Sequence, residues 1–337
     1  MKKIVGMMLI LVMMISMAGC SDEKSTRKTE ESADSQTEVQ EQAAPVEDTK
    51  EGSEAEKLVV GNIMITSAGA SDQLNDQAIH DYFEAMGGEV ITLDGEIDIV
   101  KINECIDDLI SRGVDGIIVN IIDWEGHNSA IKQAYDAGIP IVTGYNLSTA
   151  EDYLTCQVTS DDYGAGKAAG EDCLAKTGGE GQVILLDNPG ASCVEDRMEG
   201  FKDAVVAGGM EVVATKACAG LEESSEAMDD MLQAWPDVKA VMCNCDLTAT
   251  GAISALKAAG KDGEILVYAV DGNQENLQFI KDGSQTGTSF SDPYNIGKTL
   301  AEQLYKAIQG EKITEKRISL PTTFVTIENV DQYLDGE

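Results

Sequence analysis

Basic residues are scarce in this chain: 24 Lys and Arg stand against 60 Asp and Glu across 337 residues, a formal charge of −36. No stretch beyond the N-terminus gathers Lys and Arg into the cationic face that phosphate backbones require, which excludes nucleic acid as a partner. Histidine occurs only as His80 and His127. His80 falls on the polar face of a helical pattern and His127 near the start of a later one. No G-x-S-x-G elbow accompanies them, so both read as lone surface or cap residues and no hydrolytic triad is visible. The one long apolar run, residues 4–18, is shorter than the roughly 20 residues of a membrane-spanning helix, which excludes a polytopic membrane protein. Heptad arrays and short tandem repeats are absent as well. What remains is a chain with 43% hydrophobic residues, long enough for two domains of ordinary size or one large one.

The apolar run follows Lys2 and Lys3 and ends in Ala18 and Gly19 before Cys20, the layout of an export signal over residues 1–19. The junction Ser16-Met17-Ala18-Gly19-Cys20 resembles a bacterial lipobox, in which the cysteine thiol is lipidated and becomes the first residue after cleavage. The expectation is a protein outside the cytoplasm, held to the cell membrane of a bacterium through lipid on Cys20. After Cys20, residues 21–56 are Ser, Thr, Glu, Asp, Gln and Lys with almost no large apolar side chain. Such a stretch cannot bury enough surface to offset the entropy of ordering, so 20–56 reads as a disordered acidic tether.

Seven further cysteines (Cys105, Cys156, Cys173, Cys193, Cys218, Cys243 and Cys245) leave at least one unpaired in a monomer, which argues against a full disulfide framework. Cys243-Asn244-Cys245 has one intervening residue where metal and redox pairs have two, and the plainer reading is small buried residues at a strand end. No metal site is expected.

From residue 58 onward, short Val- and Ile-rich runs alternate with helical segments of about fifteen residues, the pattern of parallel sheets with helices on both faces. Strands are expected at 58–66, 89–93, 115–120 and 141–144, with helices at 73–86, 99–111 and 125–137 between them. Leu74, Ala78, Tyr82, Phe83 and Met86 share one face of the first helix, and Gly138 is a helix stop. The same grammar restarts after a strand at 153–158. A helix from Tyr163 is followed by strands at 182–186, 210–214, 240–243 and 265–270, and by helices at 194–207, 224–235, 247–259 and 274–281. A strand near 286–290, a helix at 295–309 and an extended piece at 318–327 follow. The fold class is therefore α/β, with two Rossmann-like halves.

Open parallel sheets bind ligands beyond the carboxyl ends of their strands. Those ends are polar here: Ser67, Ser71 and Asp72; Asp123 and Trp124; Tyr145 and Asn146; then Asp187-Asn188, Asn244 to Asp246, Asp271-Gly272 and Ser291-Asp292. Carboxylates, amides and aromatic faces converging on a cleft suit a polar small molecule held by hydrogen bonds and stacking. A dinucleotide enzyme is the competing reading, because Gly164-Ala165-Gly166-Lys167-Ala168-Ala169 fits G-x-G-x-x-A. Asp161 and Asp162 precede the glycines, where a pyrophosphate would be repelled, so helix-to-sheet packing by small residues is preferred and no cofactor is expected. The pairs Asp107-Asp108 and Asp229-Asp230 lie within helical patterns and read as solvated faces.

Five stretches together resemble the ribose- and galactose-type periplasmic binding proteins: Asp-Gly-Ile-Ile-Val at 115–119, Ala-Gly-Ile-Pro-Ile-Val at 137–142, Arg-Met-Glu-Gly-Phe at 197–201, Ala-Thr-Gly-Ala-Ile-Ser-Ala-Leu-Lys-Ala-Ala-Gly at 249–260 and Val-Asp-Gly at 270–272. The resemblance implies a type I periplasmic binding protein: two lobes joined by three crossovers, near 158–160, 289–291 and 320–323. The N-terminal lobe would comprise 57–159 plus 292–321 and the C-terminal lobe 160–291 plus 322–337. It implies a monomer without enzymatic activity that closes on a solute, a sugar foremost, and hands it to the permease of an ABC importer. A sensor reporting to a receptor kinase, and a nucleoside or polyol ligand, are the alternatives. The lactose-repressor class shares the lobe pair but begins with a basic helix-turn-helix, which this acidic N-terminus excludes.

By matched position, Arg197 and Asp271 correspond to the family's ligand-binding arginine and aspartate; their plainer readings are an ion pair on a helix turn and a turn former. Other positions depart from the pattern. Ala68-Gly69-Ala70-Ser71-Asp72 stands where paired aromatics are common, an aromatic is missing near Gly220, and Tyr145-Asn146 replaces the usual aspartate. Cys245-Asp246 stands for an Asn-Asp pair and Ser291 for a Gln. Stacking would then come from Trp124, Tyr145, Tyr163, Phe290 or Tyr294. The expected ligand set is Arg197, Asp271, Tyr145, Asn146, Asp246, Ser71, Asp72, Trp124, Ser291 and Asp292.

Overall fold

A computed structural model describes residues 57–334; the expected signal at 1–19, Cys20 and the tether at 20–56 lie outside the described residues. In chain order the elements are β1 (Val59–Met64), α1 (Ala70–Glu84), β2 (Glu89–Asp94), α2 (Ile99–Arg112), β3 (Gly116–Asn120), α3 (Asn128–Asp136), β4 (Ile141–Gly144), β5 (Cys156–Ser160), α4 (Asp162–Thr177), β6 (Gln182–Asp187), α5 (Ser192–Ala207), β7 (Glu211–Ala217), α6 (Leu221–Ala234), β8 (Ala240–Cys243), α7 (Asp246–Ala258), β9 (Leu266–Asp271), α8 (Gln274–Asp282), β10 (Gly287–Phe290), α9 (Pro293–Ile308), β11 (Arg317–Leu320) and β12 (Thr323–Thr326).

The strands form two six-stranded sheets, in the orders β11-β5-β4-β3-β1-β2 and β12-β10-β9-β8-β6-β7. The second order repeats the first, which makes the molecule two lobes of the same design. Pairing is parallel except for β12, which runs antiparallel to β10. The chain passes from one sheet to the other after β5, after β10 and after β11. The expected extended piece at 318–327 is thus two edge strands, one per lobe, broken around Pro321.

Each sheet is buried on both faces, as its uninterrupted apolar strands require. On β3, Ile117 and Val119 face Ile106, Leu109 and Ile131 of α2 and α3, whereas Ile118 faces Ile79, Phe83, Leu300 and Leu304 of α1 and α9. Each such side chain contributes about 1.5–3 kcal/mol by leaving water. In the second lobe, Leu186, Val241 and Ile253 lie on one face, and Leu185, Phe201 and Tyr268 on the other.

Three helices start where an Asp side chain satisfies a free N–H group. Asp98 accepts from Lys101 N to open α2, Asp161 from Gly164 N to open α4, and Asp292 from Asn295 N to open α9, with Pro293 in its first turn. α4 and α9 begin one and two residues before their expected starts, α2 begins at its expected start, and α1 and α6 begin three residues early without a side-chain cap. The buried face of α1 is also rotated from the expectation: Asn75, Ala78, Ile79 and Phe83 face inward while Leu74 and Met86 are exposed.

The small residues of α4 pack as the sequence suggested, but against a helix. A Cβ on Gly166 would lie 1.8 Å from Arg197 O, and one on Gly200 would lie 2.1 Å from Tyr163 O, so α4 and α5 touch backbone to backbone. That contact sets up the site below. His80 on α1 hydrogen-bonds Glu84 and Thr92. His127 holds the cap position of α3 but is fully buried, not on the surface: Nδ1 meets Asn103 Oδ1 at 2.9 Å, and burial pushes its pKa down. All seven described cysteines are unpaired thiols. Among the described residues no helix is long and apolar enough to cross a membrane, and no group of His, Cys, Asp and Glu is disposed to hold a metal ion.

Candidate functional site

The carboxyl ends of the two sheets face one another across a cavity of about 60 Å³ lined by Ser71, Tyr145, Ser160, Cys193, Arg197, Asp271, Ser291 and Pro293. Wider hollows, of about 570 and 660 Å³, lie on the flanks of single lobes. Only the small cavity joins strand ends of both lobes among these, and it gathers five of the ten residues expected from sequence.

Arg197 sits on α5 one turn after Cys193 and is buried, 6% exposed. Its Nε and Nη2 both donate to Asp162 Oδ1, at 3.1 and 2.6 Å, and Nη1 donates to Asn244 O at 2.7 Å. Nε also reaches Cys193 O at 3.2 Å, and Nη1 stands 3.6 Å from Asp271 Oδ1. Burial opposes the charge, but Asp162, Cys193 and Asp271 hold the guanidinium above its usual pKa. Asp162 is equally buried; burial pushes its carboxyl up, and Arg197 and the Ser160 hydroxyl, which donates at 2.9 Å, pull it back. Arg197 is thus pinned in place in the cavity wall.

Asp271 ends β9 with φ +132°, outside the regions that side-chain-bearing residues prefer. The loop that holds it is built by Asp246. Its Oδ2 accepts from Gly272 N (2.8 Å) and Asn273 N (2.7 Å), and its Oδ1 from Thr288 Oγ1 (2.8 Å) and Gln285 Nε2 (3.3 Å). Asp246 N in turn donates to Asp271 Oδ2 at 3.4 Å. Burial pushes the Asp246 carboxyl up to about 7, reinforced by Asp271, and pushes Asp271 up to about 6 against the pull of Arg197.

The opposite wall carries no charge. Tyr145 follows β4 with φ +66°, and its hydroxyl donates to Ser71 O at 3.3 Å. Burial, then Asp72 and Asp271, hold its pKa above the usual phenol range. The Cys193 thiol is pushed up to about 12 by burial, so it is protonated at neutral pH and is not a nucleophile.

Five expected residues do not line the cavity. Asn146 is consumed by bonds to Ile121 O and to the start of α5. Asp246 is sequestered in the loop just described. Asp72 turns back to accept from Ile65 N, its carboxyl pushed up to about 6 by burial. Trp124 lies on the half-exposed β3–α3 loop, its carbonyl bonded to Thr149 N, and Asp292 caps α9. The other stacking candidates are occupied elsewhere: Tyr163 with Asp203, Tyr294 with Asp81, and Phe290 against Tyr333.

Sequence reasoning did not single out Ser160, Cys193, Pro293 or the buried partner Asp162. Strand β5 ends at Ser160, two residues later than expected, which is what brings that hydroxyl to the cavity. The signal that was available for Asp162 was its place beside a helix start, and only the contact of α4 with α5 gives it Arg197.

Comparison with known proteins places the fold in a known family. The model of the periplasmic binding protein domain matches residues 63–312. The ribose import binding protein of Bacillus subtilis is 33% identical over 243 residues, covering 71% of this chain and 78% of that protein. A putative rhizopine-binding protein of Rhizobium meliloti is 26% identical over 76% of this chain and 85% of its own length. An ABC transporter solute binding protein from Bacillus halodurans, solved with bound myo-inositol, superposes with a TM-score of 0.76 at 27% identity, covering 84% of this chain and 99% of that one.

Proposed function

The chain belongs to the periplasmic binding protein family, and from that premise we propose that it captures a small polar solute, a sugar foremost, between its lobes and delivers it to the permease of an ABC importer. The observation that carries the reading is the small cavity in which Arg197 and Asp271 of one lobe face Tyr145 and Ser71 of the other. A pinned guanidinium offers N–H donors in fixed directions, and a carboxylate accepts from hydroxyl groups; together they match the alternating donors and acceptors of a polyhydroxylated ligand. In this reading Tyr145 supplies an apolar face, and Ser160 and Ser291 add hydroxyls from two of the crossovers.

The cavity of about 60 Å³ is well below the roughly 300 Å³ at which small-molecule sites begin. Solute entry then requires the lobes to spread, and closure on the solute makes occupancy readable as a shape. No bond of the solute is made or broken in this reading, and the protein acts as a monomer. The signal at 1–19 would direct it outside the cytoplasm, with lipid on Cys20 and the segment 20–56 tethering the lobes to the membrane that holds the permease.

A thermal-shift panel on the whole chain tests the proposal, with D-ribose, D-allose, myo-inositol and uridine as probes. A ligand at 100 times its Kd adds about 2.7 kcal/mol of stability. The expected outcome is a clear rise in the unfolding temperature with at least one sugar or cyclic polyol. A rise with uridine alone would move the ligand class to nucleosides, and no rise with any probe would count against solute capture of this kind.

A further inference from the structure

Helix α5 carries Arg197, yet its own sequence does not cap it. The residue before its first turn is Ala191, which has no side-chain acceptor for the free N–H groups there. The acceptor comes from the other lobe. Asn146 Oδ1 accepts from Cys193 N at 3.3 Å and from Ser192 Oγ at 3.4 Å, while Ser192 Oγ itself accepts from Leu147 N at 2.8 Å. The far side of the same amide is tied down at home: Asn146 Nδ2 donates to Ile121 O, just past β3, at 2.8 Å. Asn146 and Ser192 are 5% and 7% exposed, so these bonds form away from water.

We infer that Asn146 and Ser192 form a lobe-to-lobe latch that caps α5 only when the lobes meet, making Asn146 a positioning residue for Arg197 and not a contact for the solute. The inference rests on the reading of the protein as a binder that closes. Spreading the lobes returns Asn146 Oδ1, Leu147 N and the Ser192 hydroxyl to water and leaves the first turn of α5 uncapped. Closure restores all three bonds at once. The same turn presents Cys193 O to Arg197 Nε at 3.2 Å, so the cap and the guanidinium share one rigid piece of helix. The latch therefore adds to closure an increment that is the same for every solute. Apparent affinity is the intrinsic affinity scaled by the closed fraction, so weakening the latch lowers all affinities by a common factor.

The experiment uses the whole chain, wild type and with Asn146→Ala or Ser192→Ala, in two measurements. Small-angle scattering without added solute reads lobe separation, and calorimetric titration with D-ribose, D-allose and myo-inositol reads affinity. Each variant is expected to raise the radius of gyration and to weaken every probe that binds by one shared factor of about 3 to 30, the range that loss of a helix cap supports. The double variant should be no weaker than the stronger single, because both positions belong to one device. Ser192→Thr, which keeps the hydroxyl, should behave as wild type. A changed rank order among probes with unchanged scattering would make Asn146 a solute contact and overturn the latch. Unchanged scattering and affinity in both variants would overturn it too. If no probe binds even the wild type, solute capture fails on its own terms, and scattering still decides: expansion of both variants supports the latch, and its absence refutes it.

Discussion

The two walls of the cleft are built by the same topology to opposite effect. The second-lobe wall is ionic: Arg197, Asp162 and Asp271 are locked together, with Asp246 shaping the loop behind them. The first-lobe wall is neutral: Tyr145 and Ser71 meet through one long hydrogen bond of 3.3 Å. Fixed charge needs a rigid, water-poor frame, because an unpaired buried ion is costly, and α4 and α5 provide it by touching at Gly166 and Gly200. A neutral wall carries no such constraint. On the proposed reading, one lobe orients the solute and the other discriminates it by shape.

The largest break in that contrast comes from the ionic wall. Arg197→Ala leaves Asp162 buried without its partner and should destabilise the protein by about 3–5 kcal/mol in denaturant unfolding, with solute binding lost. Arg197→Ala combined with Asp162→Ala should cost less than the sum of the two singles, since the double variant buries no orphan charge. A fully additive result would mean that the pair is not coupled.

Next in size is the helix contact beneath the pair. Gly200→Ala places a methyl group against Tyr163 O, which α4 can relieve only by moving away, and should cost about 1–3 kcal/mol in the same assay. A neutral substitution there would remove the rigid frame from the explanation.

Much of this was legible in the sequence, and the limits have a common cause. Alternating Val-Ile runs and helical periods showed the α/β order, the strand-end rule reached Ser71, Tyr145, Asp271 and Ser291, and the family resemblance alone reached Arg197, which lies within α5. Asp162 was visible only as a charge unfavourable to phosphate, because its meaning depends on two helices meeting through glycine. Asn146 and Asp246 sit at strand ends like true cleft residues. Where their hydrogen bonds go is a tertiary fact that spacing does not encode. The starts of α4 and α9 were missed by one and two residues because an Asp cap and, in α9, a first-turn proline define them.

A smaller effect sharpens the comparison through pH. Asp246 and Asp271, pushed up to about 7 and about 6, hold protons more tightly in the folded chain than in the unfolded one. Between about pH 4 and 7 the folded state therefore carries the extra protons, and stability falls as pH rises. Asp72, pushed up to about 6, adds the same sign. His127, whose pKa burial pushes down, contributes the opposite sign below its ordinary value of 6.5. Thermal unfolding followed by circular dichroism should show a higher midpoint at pH 5.5 than at pH 7.5, because three carboxyls outweigh one imidazole; the reverse order would mean that the imidazole dominates. Smallest of all is Tyr145→Phe, which removes one long bond and should change stability by less than about 1 kcal/mol. Any larger change in affinity, read by titration with the probe that binds, would then belong to the solute alone.

Strands β11 and β12 give the molecule an order of assembly. Each is the edge strand of a different lobe, and the two are neighbours late in the chain, at 317–320 and 323–326. A ribosome delivers β1 to β5 first, yet that sheet stays one strand short until residue 320 emerges, after five of the six strands of the second lobe have been made. The earliest half to be synthesised is among the last to be completed. On the proposed reading of an exported protein, such a delay keeps the first lobe incomplete, and so easier to unravel, for most of its synthesis.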